Sequence, residues 1–274
     1  MVDNGLDLNE PVLGVAWDGT GYGLDGTIWG GEFLVITDRG FERVAHLKTF
    51  SLPGGEQAIK EPSRIAIALL YQTYDDYNYL LKCLNNLPCM RGFTHRELNI
   101  IRTILDKKIN APITSSMGRL FDGVAALLGI RQQVSYEGQA AMELEAVIGD
   151  LTTDEGYSFE LAHSKNSYNS PIIIDWQPMV QEIAIEYIDK KPIAEIAAKF
   201  HNTLVEIIIA VAKQIGRKQI ILTGECWQNK YLTERAIVRL REENFIPYWH
   251  YQVPCNNSGL AVGQIAAKLR TNNY

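Results

Sequence analysis

Asp18-Gly19-Thr20-Gly21-Tyr22-Gly23-Leu24-Asp25-Gly26-Thr27-Ile28-Trp29-Gly30-Gly31 is the stretch from which the rest of the chain is read. An apolar run of strand length, Val12 to Trp17, leads into it. Glycines then alternate at Gly19, Gly21 and Gly23, and a second apolar run begins at Thr27-Ile28-Trp29. The pattern predicts a β-hairpin with strands near 12–17 and 27–37, joined by a glycine-rich turn that starts at Asp18. Glycine reaches positive φ and puts no Cβ between its N–H groups and an incoming anion. An aspartate at the strand end supplies a hard oxygen, for a cation or as a general base. The alternative is an ordinary hairpin tip, which needs fewer than the six glycines present in these fourteen residues.

The 274 residues suffice for one large or two modest domains with a real core. Apolar and charged fractions of 46% and 21% are those of a globular protein. The net charge of −6 is spread through mixed acidic and basic residues, with no basic stripe to track a phosphate backbone, so nucleic-acid binding is excluded as the main role. No apolar stretch reaches the roughly 18 residues of a membrane span. The start, Met1-Val2-Asp3-Asn4-Gly5-Leu6-Asp7, is acidic where an export signal is basic. Cys83, Cys89, Cys226 and Cys255 form no CxxC pair and read as reduced thiols, which places the chain in the cytoplasm.

Residues 1–11 are polar and read as a connection. A third strand is expected near Phe41–Leu47, followed by the turn Leu52-Pro53-Gly54-Gly55 and a helix opened by Pro62. Thr94 with Glu97 three residues on predicts a capped helix to Lys107. Ser115 and Ser116 head a helix with Leu120, Val124, Leu127 and Leu128 on its apolar face. Such a helix start favours an anion. Arg119 and Asp122, three apart, share a face there, either at that anion site or as a surface ion pair. Glu137-Gly138 opens another helix, its carboxylate set either for a ribose or merely for the helix dipole. Short strands are expected at Tyr157–Leu161 and Pro171–Ile174, and a long buried helix from Pro192 to Ile215 ends at Gly216. His201 on that helix reads as a core histidine. Gln219–Leu222 is a strand running into Thr223-Gly224, with a helix over Gln228–Glu243, a geometry that presents backbone N–H groups to a nucleotide. A strand at Ile246–Trp249 and a helix at Leu260–Leu269 complete the chain.

Together these motifs resemble one family, the C-terminal carbamoyltransferase domain of the hydrogenase-maturation protein HypF. They are Asp18 to Gly23 with Trp29-Gly30-Gly31-Glu32-Phe33, Leu52 to Gly55, Glu61-Pro62-x-Arg64, Ser115-Ser116-x-Gly118-Arg119-Leu120-Phe121-Asp122 and Tyr136-Glu137-Gly138-Gln139-Ala140-Ala141. The resemblance runs in order from about residue 1 to residue 270. It implies an α/β, actin-like or sugar-kinase-like ATPase fold: chiefly one lobe, a three-stranded antiparallel hairpin unit plus parallel strands flanked by helices. On this reading residues 1–274 are a partial domain, with 1–11 a connection from a missing first lobe and 12–274 the second lobe.

The resemblance further implies a carbamoyl-adenylate, made from ATP, whose carbamoyl group passes to the C-terminal cysteine of a HypE-like partner. Nucleotide and phosphate contacts would fall to Gly19, Thr20, Gly21, Arg119, Asp122, Glu137, Gly138, Gly224, Asn229 and Asn256, with Asp18 as catalytic residue and metal ligand. The family's metal, iron or zinc, is held by two histidines and two aspartates. Its histidine motif would precede Met1, and its second aspartate is replaced by Asn257. Where the family has Gly-Gly-Val-Phe-Gln-Asn this chain reads Gly224-Glu225-Cys226-Trp227-Gln228-Asn229, setting a carboxylate beside phosphate. The expectation is a transferase without its metal, impaired or dependent on a companion chain that carries the missing lobe. The alternative is a non-catalytic module, derived from that family, that binds a nucleotide or a partner.

Overall fold

The computed structural model describes residues 1–7, 10–37, 40–74, 84, 86–163 and 170–271; Cys83 lies outside the described residues. Three strands open the fold as expected: β1 (Val12–Tyr22), β2 (Ile28–Thr37) and β3 (Gly40–Leu47) pair antiparallel in sequence order. Two strands from the second half, β8 (Gln219–Thr223) and β9 (Ile246–Tyr248), extend the β1 edge in parallel. On the other side β7 (Ile172–Asp175) lies parallel to β3, and β6 (Glu160–Ala162) pairs antiparallel with β7. The order is β6-β7-β3-β2-β1-β8-β9, with the short β4 (Phe50–Ser51) and β5 (Ile113–Thr114) attached through β2.

β1 alternates. Leu13, Val15 and Trp17 are fully buried on the face where the helices pack, and Gly14, Ala16 and Asp18 line a cavity on the other. On the helical face lie α1 (Glu56–Lys60), α2 (Pro62–Thr73), α3 (Pro88–Arg91), α4 (His95–Lys107), α5 (Met117–Leu127) and α6 (Gln139–Ala146), then α7 (Gln177–Ile188), α8 (Ile193–Ile215) and α9 (Lys230–Glu242). Pro62 stands in the first turn of α2, and Thr94 caps α4 through the reciprocal Glu97 box. Gly216 ends α8 at φ 72°. The core joins Trp17 stacked on Trp227 at 5.3 Å to Phe121 edge-on to Phe200 at 5.0 Å. The last helix, α10 (Leu260–Thr271), contributes Leu260, Val262 and Ala266 to the opposite wall of the cavity.

Several expectations are corrected. The hairpin turn does not begin at Asp18: β1 runs on to Tyr22 with a register shift between Trp17 and Gly21, and the turn occupies 23–27. Gly26, at φ 78°, is the turn glycine that needs the left-handed region. Gly30 and Gly118 are small for another reason. A Cβ on Gly30 would stand 2.5 Å from the Asp18 carbonyl oxygen, and one on Gly118 2.9 Å from the Gly19 Cα. Backbones touch there, so side chains are excluded. The polar start is not only a connection: Val2–Asn4 form a 3-10 turn whose residues reach the cavity. The strand expected at Tyr157–Leu161 lies at Glu160–Ala162, and the helix expected at Gln228–Glu243 is found as α9, preceded by a 3-10 turn, Glu225–Gln228, that the sequence did not announce. Helix α7 has no counterpart in the sequence reading. Its buried stripe, Met179, Val180, Ile183 and Ala184, is blurred in the sequence by Ile185 and Ile188, which stand exposed on its other side.

Candidate functional site

The register shift in β1 is held by α5. Ser116, the N-cap, donates its hydroxyl to the carbonyl oxygens of Asp18 (2.9 Å) and Gly19 (2.7 Å) and accepts the Arg119 amide at 3.1 Å. The helix start is thus pinned against the strand, which is possible only because Gly118 lacks a side chain. The carboxylate of Asp18 is turned back on its own backbone, accepting the Gly19 N–H at 2.7 Å. β2 is fixed similarly from its other side. Buried Glu32 accepts the N–H groups of Gly30 and Gly31, the Ser115 hydroxyl at 2.5 Å and the Arg43 guanidinium at 2.8 Å. Arg43 also pairs with Asp25 at 3.0 Å and covers the Trp29 ring at 4.1 Å. Glu32 lay within a quoted motif and Arg43 in a predicted strand, but nothing in their spacing marked them as partners.

The cavity has a volume of about 780 Å³ and is walled by Asp18, Gly21, Thr223, Gly224, Asn256 and Asn257 among others. The structure therefore brings the two ends of the chain's expected site together. Thr20 is exposed on β1 beyond Asp18. Asn256 caps the turn Asn257–Gly259 by accepting the Ser258 amide at 3.0 Å. Gly224 closes the end of β8 at φ 104°.

Behind Gly19 stand Arg119 and Glu137: a Cβ on Gly19 would lie 3.1 Å from Arg119 Nη2 and 3.2 Å from Glu137 Oε1. Gly138 begins α6 at φ 77° and leaves Glu137 on the exposed side. Arg119 and Asp122 pair at 3.2 Å but are not a surface pair; each is 3% exposed. Asn229 stands apart from this group. Its side-chain carbonyl accepts the Leu232 N–H at 2.8 Å and its amide donates to His201 Nε2 at 2.9 Å, so both ends hold the fold. His201 is the buried core histidine expected. Its Nδ1–H donates to the Ala197 carbonyl, and burial pushes it down to about 4.

Electrostatically the carboxylates at this end of the cavity face the Arg119 guanidinium. Burial raises the carboxyls of Asp18 and Glu225, and Glu137 adds to both; Asp18 raises Glu225 further, whereas the Glu225 backbone N–H lowers Asp18, and Arg119 opposes the rise in both. Asp122 is pushed up to about 6 by burial, against the pull of Arg119. Burial also raises the Cys226 and Cys255 thiols, with Asp18 and Glu225 adding to it. Neither cysteine carried a spacing signal.

A pH effect follows. A carboxyl whose folded value is raised binds more protons folded than unfolded, so its contribution falls as pH rises from about 3.8 to about 6 for Asp122. His201 has the opposite sign over nearly the same window, from about 4 to 6.5, because it is buried neutral. Asp122→Asn removes only the first. Between pH 4 and pH 7 the variant is expected to gain on the native chain by up to about 3 kcal/mol. Urea unfolding at the two pH values checks this, and parallel pH curves would refute it.

The family model described as the second subdomain of the Kae1-like domain of a carbamoyltransferase matches residues 14–264. The carbamoyltransferase HypF of Synechocystis sp. is 42% identical over 287 residues, covering 100% of this chain and 36% of that protein. A HypF homolog of Cupriavidus necator is 30% identical, covering 97% of this chain and 67% of its own length. A full-length HypF solved in a phosphate- and nucleotide-bound form superposes with a TM-score of 0.84 at 39% identity, over 96% of this chain and 40% of that one. The chain spans about a third of the length of the first curated relatives it matches. Among the described residues no helix is long and apolar enough to cross a membrane.

Proposed function

This chain belongs to the HypF carbamoyltransferase family, as the second subdomain of its Kae1-like domain, and on that premise we propose that its cleft holds the nucleotide end of a carbamoyl-adenylate. The carbamoyl group would pass to the C-terminal cysteine of a HypE-like acceptor in the cytoplasm. The observation that carries this reading is the meeting of Asp18, Gly21, Gly224 and Asn256 around one cavity, with Arg119 and Glu137 immediately behind Gly19. Backbone at Gly19–Gly21 and Gly224 would approach phosphate, Arg119, held by the buried Asp122, would supply positive charge from behind Gly19, and Glu137–Gly138 would face the nucleoside.

A divalent iron or zinc does not fit the donors present. Among the described residues no three His, Cys, Asp or Glu side chains are grouped to hold an ion. Asn257 offers a neutral amide where the resemblance implies a carboxylate, a far weaker ligand. Asp18 then acts only through its own carboxylate, orienting donors on the cleft wall. Transfer on this reading depends on further residues, carried by a companion chain or by the remaining length that the relatives possess.

The crowding of Asp18, Glu137 and Glu225 against one guanidinium favours a second reading, a binding module without transferase activity. Isothermal titration with ATP separates the possibilities. Weak binding is expected, tightening about fivefold in Glu225→Gln as roughly 1 kcal/mol of repulsion is removed. Absence of binding in both chains would sink the nucleotide reading. Micromolar affinity in the unaltered chain would show that Glu225 does not face the phosphates.

A further inference from the structure

Thr223 and His250 form a pair that no part of the family resemblance or of the proposed function uses. The hydroxyl of Thr223 lies 2.9 Å from His250 Nε2, and the other ring nitrogen, Nδ1, lies 2.9 Å from the Val253 carbonyl oxygen. A carbonyl can only accept, so Nδ1 carries a proton. In the neutral ring Nε2 is then a bare lone pair, and the Thr223 hydroxyl donates to it. A hydroxyl, a base within hydrogen-bond reach and a third group that fixes the base make the arrangement of an activated nucleophile.

The surroundings give the pair access and rigidity. Both residues line the cavity and both are partly exposed. Thr223 is the last residue of β8, immediately before Gly224, whose φ of 104° turns the chain sharply into the 3-10 turn. A strand ending in a tight turn lifts a side chain out of the sheet and into an opening. His250 is set by a loop that the start of the chain straps down. The Asp3 carboxylate accepts the N–H groups of Tyr251 (2.6 Å), Gln252 (3.1 Å) and Val253 (3.3 Å), and Asn4 donates to the Trp249 carbonyl at 2.9 Å. The carbonyl that orients His250 therefore belongs to a residue whose own amide is held in place.

We propose that Thr223 and His250 are a hydroxyl–imidazole dyad that takes up an acyl or carbamoyl group from an activated donor entering the cavity. The Thr223 Oγ attacks the donor's carbonyl carbon, and its proton passes to His250 Nε2. The bond to the leaving group breaks with its electron pair on that group, which recovers the proton from His250. The product is an ester or carbamate on Thr223.

p-Nitrophenyl acetate, which carries no nucleotide, tests this independently of the nucleotide reading. The full chain is expected to release p-nitrophenol in a burst of one equivalent and to retain one acetyl group, located by peptide fragmentation on Thr223. Thr223→Ser keeps the burst. Thr223→Val and His250→Gln lose it at least tenfold, although glutamine can still donate to the Val253 carbonyl and accept from Thr223. Circular dichroism checks that each variant is folded. Acetyl on Cys226 or on lysines instead, or an undiminished burst in folded His250→Gln, overturns the proposal; so does the absence of a burst in the unaltered chain.

Discussion

Arg119→Met is expected to lower folding stability by about 3–5 kcal/mol and to abolish nucleotide binding. Arg119 is 3% exposed, and its Nε lies 3.2 Å from the equally buried Asp122 carboxylate. Taking one partner from such a pair leaves the other buried and uncompensated, which costs far more than the pair contributes in balance. Here the loss extends beyond Asp122. Arg119 also holds down the carboxyls of Asp18 and Glu225, so its removal raises both at once. Methionine keeps most of the volume, which separates charge from packing. Adding Asp122→Asn to Arg119→Met should restore much of the stability and none of the ATP binding. Urea unfolding and calorimetric titration of the single and double variants read both quantities. A loss below 1 kcal/mol in the single variant would show the pair to be solvated rather than buried.

Gly224→Ala is expected to be at least as damaging locally, costing about 3 kcal/mol or more. A Cβ at this position would stand 2.1 Å from the Trp17 carbonyl oxygen and 2.7 Å from its carbonyl carbon. Those atoms are backbone of the central strand and cannot rotate away. The conformation, φ 104° with ψ 163°, is one that only glycine adopts readily. Relief requires parting β8 from β1 just past the Ala16–Thr223 pairing, which would unseat Trp227 from Trp17. Thermal unfolding, together with hydrogen exchange at Val15 to Trp17, measures it. A variant that melts like the unaltered chain would mean that the turn takes up another backbone path.

How far the sequence could be read varied with the range over which each feature is determined. The hairpin unit, the Thr94–Glu97 box, the Pro62 start and the Gly216 stop were legible because each rests on residues within one turn or one strand pair. The glycines were found but partly misread. Their alternation suggested a turn from Asp18 onward, whereas β1 continues to Tyr22, where a Cβ on Gly21 would meet the Trp29 carbonyl oxygen at 3.1 Å, and one on Gly23 just beyond would meet the Trp29 ring at 2.4 Å. Helix α7 was missed because Ile185 and Ile188 on its exposed side hide the polar face that would mark an amphipathic helix.

The sequence by itself determined the elements, their caps and the residue types gathered in the glycine-rich, Ser-Ser and Asn-Asn segments, since backbone sterics and short hydrogen bonds act over a few positions. Only the tertiary structure decided that Arg119 and Asp122 are buried, that Asp18 faces a cavity, and that Thr223 meets a histidine held in a loop tied down by Asp3. Burial and charge depend on which distant segments return to the same place, and that is fixed by the packing of the whole sheet.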